Sequence, residues 1–203
     1  MSRAAFVVGG CMLVAACTSG PPPPVESRSR ESVVLAERAA KDRMFRSDDK
    51  SPLTPAQKAT FTGLPYYPFN AAYRVPASLT PDPAAGNLII ELPTSAQEMR
   101  RMRRVGTLTF TIAGTSLTLT AFADADTRSI DQLFVPFGDA TSGTETYGGG
   151  RYLELPRTPT GLYDLDFNLA YHPYCVFNPS FVCPVPPREN RLAIPIPAGE
   201  KLR

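Results

Sequence analysis

The stretch "GTLTFTIAGTSLTLTAF", Gly106 to Phe122, decides the fold class, because its apolar residues recur at every second position. Leu108, Phe110 and Ile112 alternate with threonines, and Leu117, Leu119 and Ala121 alternate back after Ala113-Gly114, a pair able to turn. Period two with a Gly-containing two-residue break predicts a β-hairpin with one face buried. Similar short runs stand at "YRVPASL", "NLIIEL", "QLFVPFG", "RYLELP", "LYDLDFNLAY" and "LAIPIP", separated by Gly, Pro, Asn and Asp. With 22 Pro and 14 Gly among 203 residues, the expected fold is mainly β, a single antiparallel β-barrel or sandwich-like domain of about seven to nine strands with one N-terminal helix.

That helix is read in "ESVVLAERAAKDRMFR", which starts at Glu31, lacks Gly and Pro, and could place Val34, Ala39 and the Met44/Phe45 pair on one face. Its charged residues Glu37, Arg38, Lys41 and Asp42 are expected to form a solvated face. Upstream, the composition changes twice. "MSRAAFVVGGCMLVAA", residues 1–16, has a basic start, an apolar run shorter than the roughly 20 residues of a membrane span, and small residues before Cys17, the pattern of an export signal. Residues 17–30 continue as a Pro- and Ser-rich tether able to reach about 40 Å at roughly 3.1 Å per extended residue. Residues 31–203 are left as the β-rich domain. The mature chain is expected to have no transmembrane segment.

A net charge of +2, from 21 Lys and Arg against 19 Asp and Glu, argues against nucleic acid as a partner. The basic run "MRRMRR", Met99 to Arg104, reads as a solvated connection between strands rather than a lipid- or protein-binding patch.

The polar residues concentrate after Phe137. In "FGDATSGTETYGGGRYLEL" the hydroxyls and three successive glycines before Arg151 could wrap backbone amides around an anion, although a mobile hairpin loop is the plainer reading. It is not a P-loop, since the Lys-Ser/Thr ending is absent and a strand follows. In "YDLDFNLAY", strand alternation places Asp164, Asp166 and Asn168 on one face and Leu165, Phe167 and Leu169 on the other. An Arg151–Asp166 contact is expected if their strands pair. Cys175 and Cys183 are expected to form a disulfide: Cys11 is expected to leave with the signal, Cys17 to be lipidated as the resemblance of "VAAC" to a lipobox implies, and Asn178-Pro179 favours a turn between the remaining two. A zinc site from His172, Cys175 and Cys183 is disfavoured by spacing, so no metal and no cofactor are expected. A nucleophilic hydrolase using Ser142 or Ser180 with His172, the only histidine, lacks the Gly-x-Ser-x-Gly elbow.

Two resemblances add to this reading. "VAAC", Val14 to Cys17, resembles the lipobox of bacterial lipoproteins, which implies multiple acyl chains on Cys17 and firm membrane anchoring. Thr18 stands where that resemblance would need Asp for inner-membrane retention, so the periplasmic face of the outer membrane is the expected location. "SPLTPAQKATFTGLPYYPFNAAYRV", "TYGGGRYL", "DFNLAYHPYC" and "PPRENRL" resemble the bacterial family called domain of unknown function 1684, from about Lys41 to Lys201. The resemblance implies a shared fold and no established activity. Its pattern falls on Asp139, Thr141, Gly143, Thr146, Tyr147, Gly150, Arg151, Asp166, Phe167, Asn168, Tyr171, Cys175, Cys183, Glu189, Asn190 and Glu200, and it departs at His172, where the pattern more often looks like Asn. The candidate ligand-binding residues are therefore Asp139, Thr141, Thr146, Tyr147, Arg151, Asp166, Asn168, Tyr171, Glu189 and Asn190. The expected function is a lipid-anchored envelope module binding a small polar or anionic ligand, or a partner protein. The alternative is a hydrolase or lyase using paired carboxylates from Asp139, Asp166 and Glu189.

Overall fold

The computed structural model describes residues 29–83, 88–96, 98–127 and 129–202. The expected export signal, Cys17 and most of the expected tether lie outside the described residues. The chain runs α1 (Arg30–Ser47), α2 (Pro55–Thr60), β1 (Arg74–Pro81), β2 (Ile89–Pro93), β3 (Met99–Ile112), β4 (Thr115–Asp124), β5 (Gln132–Phe137), β6 (Arg151–Pro156) and β7 (Leu162–Asp166). The strands form one antiparallel sheet in the order β6-β5-β4-β3-β1-β7, nearly closed into a barrel, with β2 added beside β3. Closure comes from Tyr152 of β6 and Tyr171, just beyond β7, which exchange backbone hydrogen bonds of 2.8 and 3.0 Å. Among the described residues no helix is long and apolar enough to cross a membrane.

The decisive hairpin forms in the expected register, Ile112 opposite Thr115, with Ala113 and Gly114 both at positive φ (48° and 79°). Positive φ at both central residues matches the twist of the flanking strands. The strand β3 is long because it serves two partners, β2 along Met99–Arg103 and β1 along Gly106–Phe110, with a bulge at Val105 between them. Gly106 permits this fork: a Cβ there would stand 2.4 Å from the Thr80 carbonyl oxygen. Inward residues of alternate positions, among them Leu108, Phe110, Leu119, Leu133, Val135, Leu153 and Leu165, pack the barrel solid. From Leu119 to Ala123 strand β4 is buried on both faces, because Phe122 turns outward into a second cluster with Leu92 and Met102.

Several expectations are corrected by local chemistry. "MRRMRR" is not a connection but the first half of β3, its charges answered by Asp124, Asp126 and Asp82 and by the carbonyls of Ala125 and Thr127. "LAIPIP" forms no strand, since Pro195 and Pro197 supply no ladder donors. "LYDLDFNLAY" stops being a strand at Asp166, whose carboxylate accepts the Asn168 N–H at 2.9 Å and starts a 3-10 turn over Phe167–Leu169. That turn buries Asn168 instead of leaving it on a wet face.

Helix α1 starts one residue earlier than read, capped by Ser29, and buries Val34, Arg38 and Phe45. Ala39 is exposed, and of the four charged residues Glu37 is exposed as expected while Arg38, Lys41 and Asp42 turn inward. Arg38 donates to the carbonyls of Tyr67 and Asn168 (2.9 and 3.0 Å), Lys41 pairs with Glu200 at 2.6 Å, and Asp42 accepts the Leu64 N–H at 3.0 Å. Arg30 reaches Asp166 at 2.7 Å. The helix docks through these charged contacts and through Phe45, which packs among Leu53, Leu64, Phe61, Tyr174 and Phe177.

Asn190 holds β4 to β5. Their ladder registers only Phe122 opposite Phe134, and Pro136 has no N–H to extend it. The Asn190 amide fills the gap, accepting the Thr120 N–H at 2.7 Å and donating to the carbonyls of Thr120 and Pro136 at 2.8 and 2.7 Å. Replacing Asn190 by Leu strands three buried backbone groups at about 1–3 kcal/mol each, so chemical denaturation is expected to show a loss on the order of 3 kcal/mol or more. A loss below about 0.5 kcal/mol, the size of an ordinary surface substitution, would show that the barrel does not depend on this bridge.

Candidate functional site

Most of the residues singled out by the sequence prove to be interior fastenings. Arg151 is fully buried, and its guanidinium donates to the carbonyls of Ile196 (2.8 Å), Ala198 and Glu200 (3.1 Å). It also lies 5.3 Å over the Phe137 ring. The expected Arg151–Asp166 contact is absent, because β6 and β7 close the barrel from different edges and each residue meets another partner first. Arg151 takes Asp139 at 3.4 Å, while Asp166 takes Arg30 and the Asn168 amide. Burial pulls the Arg151 pKa below its ordinary value, and Asp139 opposes that pull.

The glycine-rich loop is likewise spent on itself. Thr141 accepts the N–H groups of Thr144, Glu145 and Thr146 on its carbonyl (3.2, 3.0 and 3.0 Å). Its hydroxyl meets Asp139 at 2.9 Å and the buried Thr146 hydroxyl at 2.9 Å. Asp139 also accepts the Ile196 N–H at 2.6 Å. The Tyr147 N–H is given to His172 Nε2 at 3.2 Å, and Gly150, at φ 88°, presses against the Phe137 carbonyl, where a Cβ would stand at 2.6 Å. These amides point at protein acceptors, so they form no anion cradle.

Asn168 is fully buried and exchanges two 2.9 Å bonds with the Asn70 backbone. Glu189 is exposed on the 3-10 turn Arg188–Asn190. The three acids of the paired-carboxylate reading therefore do not converge: Asp139 serves Arg151 and the loop, Asp166 serves Arg30, and Glu189 faces solvent. His172 is buried, accepts the Tyr147 N–H, and is pushed down to about 3 by burial and then by Arg151 and Lys41. It is a neutral acceptor at physiological pH, and among the described residues no group of three His, Cys, Asp or Glu side chains gathers to hold a metal.

The expected disulfide is also corrected. Cys175 and Cys183 are free thiols, with the Cys175 N–H donating to Cys183 Sγ at 3.3 Å. Burial pushes the Cys183 thiol up to about 11. A thiol so raised stays protonated, and the thiolate is the species that enters disulfide exchange.

The concave surface lies outside the barrel. A cavity of about 790 Å³ is floored by outward residues of four strands, Arg100 and Met102 of β3, Asp124 of β4, Phe134 of β5, and Tyr152 and Glu154 of β6. One wall is α1, through Ala40, Lys41 and Met44, and the other is the irregular segment from Pro173 to Pro184. Tyr171, the one candidate ligand-binding residue among those lining this cleft, donates its hydroxyl to Glu154 at 2.8 Å. Burial first, and then Glu154, raise the Tyr171 pKa, so the phenol stays protonated. Lys41 Nζ stands 4.3 Å over the Tyr171 ring while paired with Glu200, and Glu200 also accepts the His172 N–H at 2.8 Å. The Tyr152 hydroxyl donates to the Pro184 carbonyl, fastening the far wall to the floor. Sequence reasoning missed Lys41, Tyr152 and Glu154. The usable signal was "RYLELP", whose alternation sets Tyr152 and Glu154 on one face against Leu153 and Leu155 on the other.

A packed antiparallel barrel carrying an external cleft against its N-terminal helix defines the class. The chain belongs to the family described as "Protein of unknown function (DUF1684)", whose model matches residues 59–201. It is similar to an uncharacterized protein of Haloarcula marismortui solved in solution by NMR, at 39% identity over 85% of this chain and 94% of that chain, with a TM-score of 0.66. No curated protein matches.

Breaking the Arg151–Asp139 contact by Asp139→Asn or Arg151→Met is expected to cost about 3–5 kcal/mol each, because either change strands buried polar groups. In a double-mutant cycle the pair should be sub-additive, whereas Arg151→Met with Asp166→Asn should add within about 0.5 kcal/mol. Urea titrations of the six proteins measure both, and coupling to Asp166 rather than Asp139 would refute the assignment.

Proposed function

We propose that this chain is a cell-envelope binding protein, tethered through lipidated Cys17 at the periplasmic face of the outer membrane, whose barrel presents one small-molecule site, the cleft against α1. The cleft carries the reading. Its volume of about 790 Å³ lies within the roughly 300–1,000 Å³ typical of ligand sites, and its aromatic and methionine lining with a few fixed polar groups has the composition of such sites. The barrel interior is filled by side chains, so an occupant has its place outside. The buried carboxylates are committed to structural partners, and that favours binding over acid–base chemistry.

Two measurements test the two halves of this reading. Cys17→Ser should move the protein out of the membrane fraction or leave it as unprocessed precursor; unchanged fractionation with retained lipid labelling would overturn the anchor. For the cleft, the neutral dye N-phenyl-1-naphthylamine should bind saturably with enhanced emission. Ala40→Trp adds an indole at an exposed helix position on the cleft wall and should weaken the dye by about tenfold, one order of magnitude in the dissociation constant, without changing the circular dichroism. Dye binding indifferent to this substitution would place the site elsewhere.

A further inference from the structure

Four charged side chains line the cleft, Lys41, Arg100, Asp124 and Glu154. Arg100 is paired with Asp124 at 3.0 Å, and Lys41 is paired at 2.6 Å with Glu200, which lies behind the wall. Glu154 is left with neutral donors alone, the Tyr171 hydroxyl on Oε1 at 2.8 Å and the Gln132 amide on Oε2 at 3.1 Å. Among the described residues no Lys, Arg or His stands within ion-pair distance of it. The carboxylate is thus fixed in position, un-neutralised, and flanked by aromatic rings.

Those rings pack edge to face. Tyr152 packs edge-on to Phe134 and to Tyr171, with centroids 4.7 and 5.7 Å away, and Tyr174 packs edge-on to Phe181 at 5.4 Å across the far wall. The negative face of an aromatic ring attracts a positive group, and phenol faces do so better when shielded from water. The cleft already holds one such contact, the Lys41 ammonium 4.3 Å over Tyr171.

We infer that the cleft selects an organic cation with an apolar body, an alkylammonium or quaternary ammonium compound whose charge lies against Glu154 and whose body lies along Met102, Phe134 and the far wall. This inference rests on the cleft being the binding site proposed above. An anion would meet the free carboxylate at close range. A neutral ligand would remove water from Glu154 and return nothing to its charge. A substituted ammonium sheds water readily, neutralises the carboxylate and covers the rings. The volume of about 790 Å³ exceeds what a bare ammonium fills, so the body of the ligand does much of the filling.

The test uses three probes of similar shape, phenyltrimethylammonium, its neutral counterpart tert-butylbenzene, and the anion benzenesulfonate. Each is titrated by calorimetry into the parent, Glu154→Gln and Ala40→Trp. The cation should bind at least about tenfold tighter than the neutral probe, and the anion most weakly. Glu154→Gln, at an exposed position that keeps its hydrogen-bonding capacity, should cut cation affinity by about tenfold and leave the neutral probe unchanged. Equal or tighter binding of the neutral or anionic probe, or cation binding unmoved by Glu154→Gln, would overturn the cation and leave the cleft standing. No binding of any probe to the parent, or binding unmoved by Ala40→Trp, would overturn the cleft and the cation together.

Discussion

The Arg151 guanidinium carries the C-terminal segment, and much of the outer structure is built on that segment. Residues 194–200 read "IPIPAGE", and two prolines within seven residues deny the chain the N–H groups of a strand. Its carbonyls still need donors once buried. A planar guanidinium offers several N–H groups in a rigid fork, and Arg151 directs them at Ile196, Ala198 and Glu200 from the barrel wall. With the segment held there, Gly199, at φ 79°, passes so close to Phe167 and Ala170 that a Cβ would stand 2.7 and 2.5 Å from their carbonyl oxygens. Glu200 then arrives where it can take Lys41 of α1 and the His172 N–H. The helix is docked, and the cleft has its wall.

Architecture was legible wherever one residue type repeats with the period of its element. The hairpin from Gly106 to Phe122 is the clear case, since threonine–leucine alternation leaves one sensible face for the core. The resulting sheet follows from that hairpin and from five of the six further runs. Legibility ended where a side chain replaces backbone pairing. Nothing in the pattern of "PPRENRL" says that Asn190 will stitch β4 to β5, nor does "LAIPIP" announce that an arginine elsewhere will supply its donors. Those residues were picked out as important, but as ligand contacts, because a polar residue in a motif looks alike whether it faces a ligand or a buried carbonyl.

The cleft was harder to read for a different reason. Its floor comes from four strands, one wall from a helix more than fifty residues upstream, and the other from an irregular segment near the C-terminus. Contacts of that separation leave no local period. The helix misled most, because its inward stripe of Val34, Arg38, Lys41 and Phe45 keeps helical spacing while including a buried and a half-buried cation. An apolar-only count therefore rotates the helix toward Ala39, which is exposed. Outward strand residues gave the better clue, since Tyr152 and Glu154 share a face that a simple one-sided barrel would leave to water.

Because α1 is fastened by Arg30–Asp166, Lys41–Glu200 and Arg38 as well as by Val34 and Phe45, lifting it would expose charged groups together with the aromatic cluster around Phe45. Apolar exposure raises heat capacity and polar exposure lowers it. Detachment of the helix therefore carries heat-capacity contributions of both signs, and urea promotes it in proportion to the surface exposed. Salt acts on it more directly, by screening the partly exposed arms of those pairs. Ionic strength thus joins temperature among the variables that set how long the cleft keeps its helical wall.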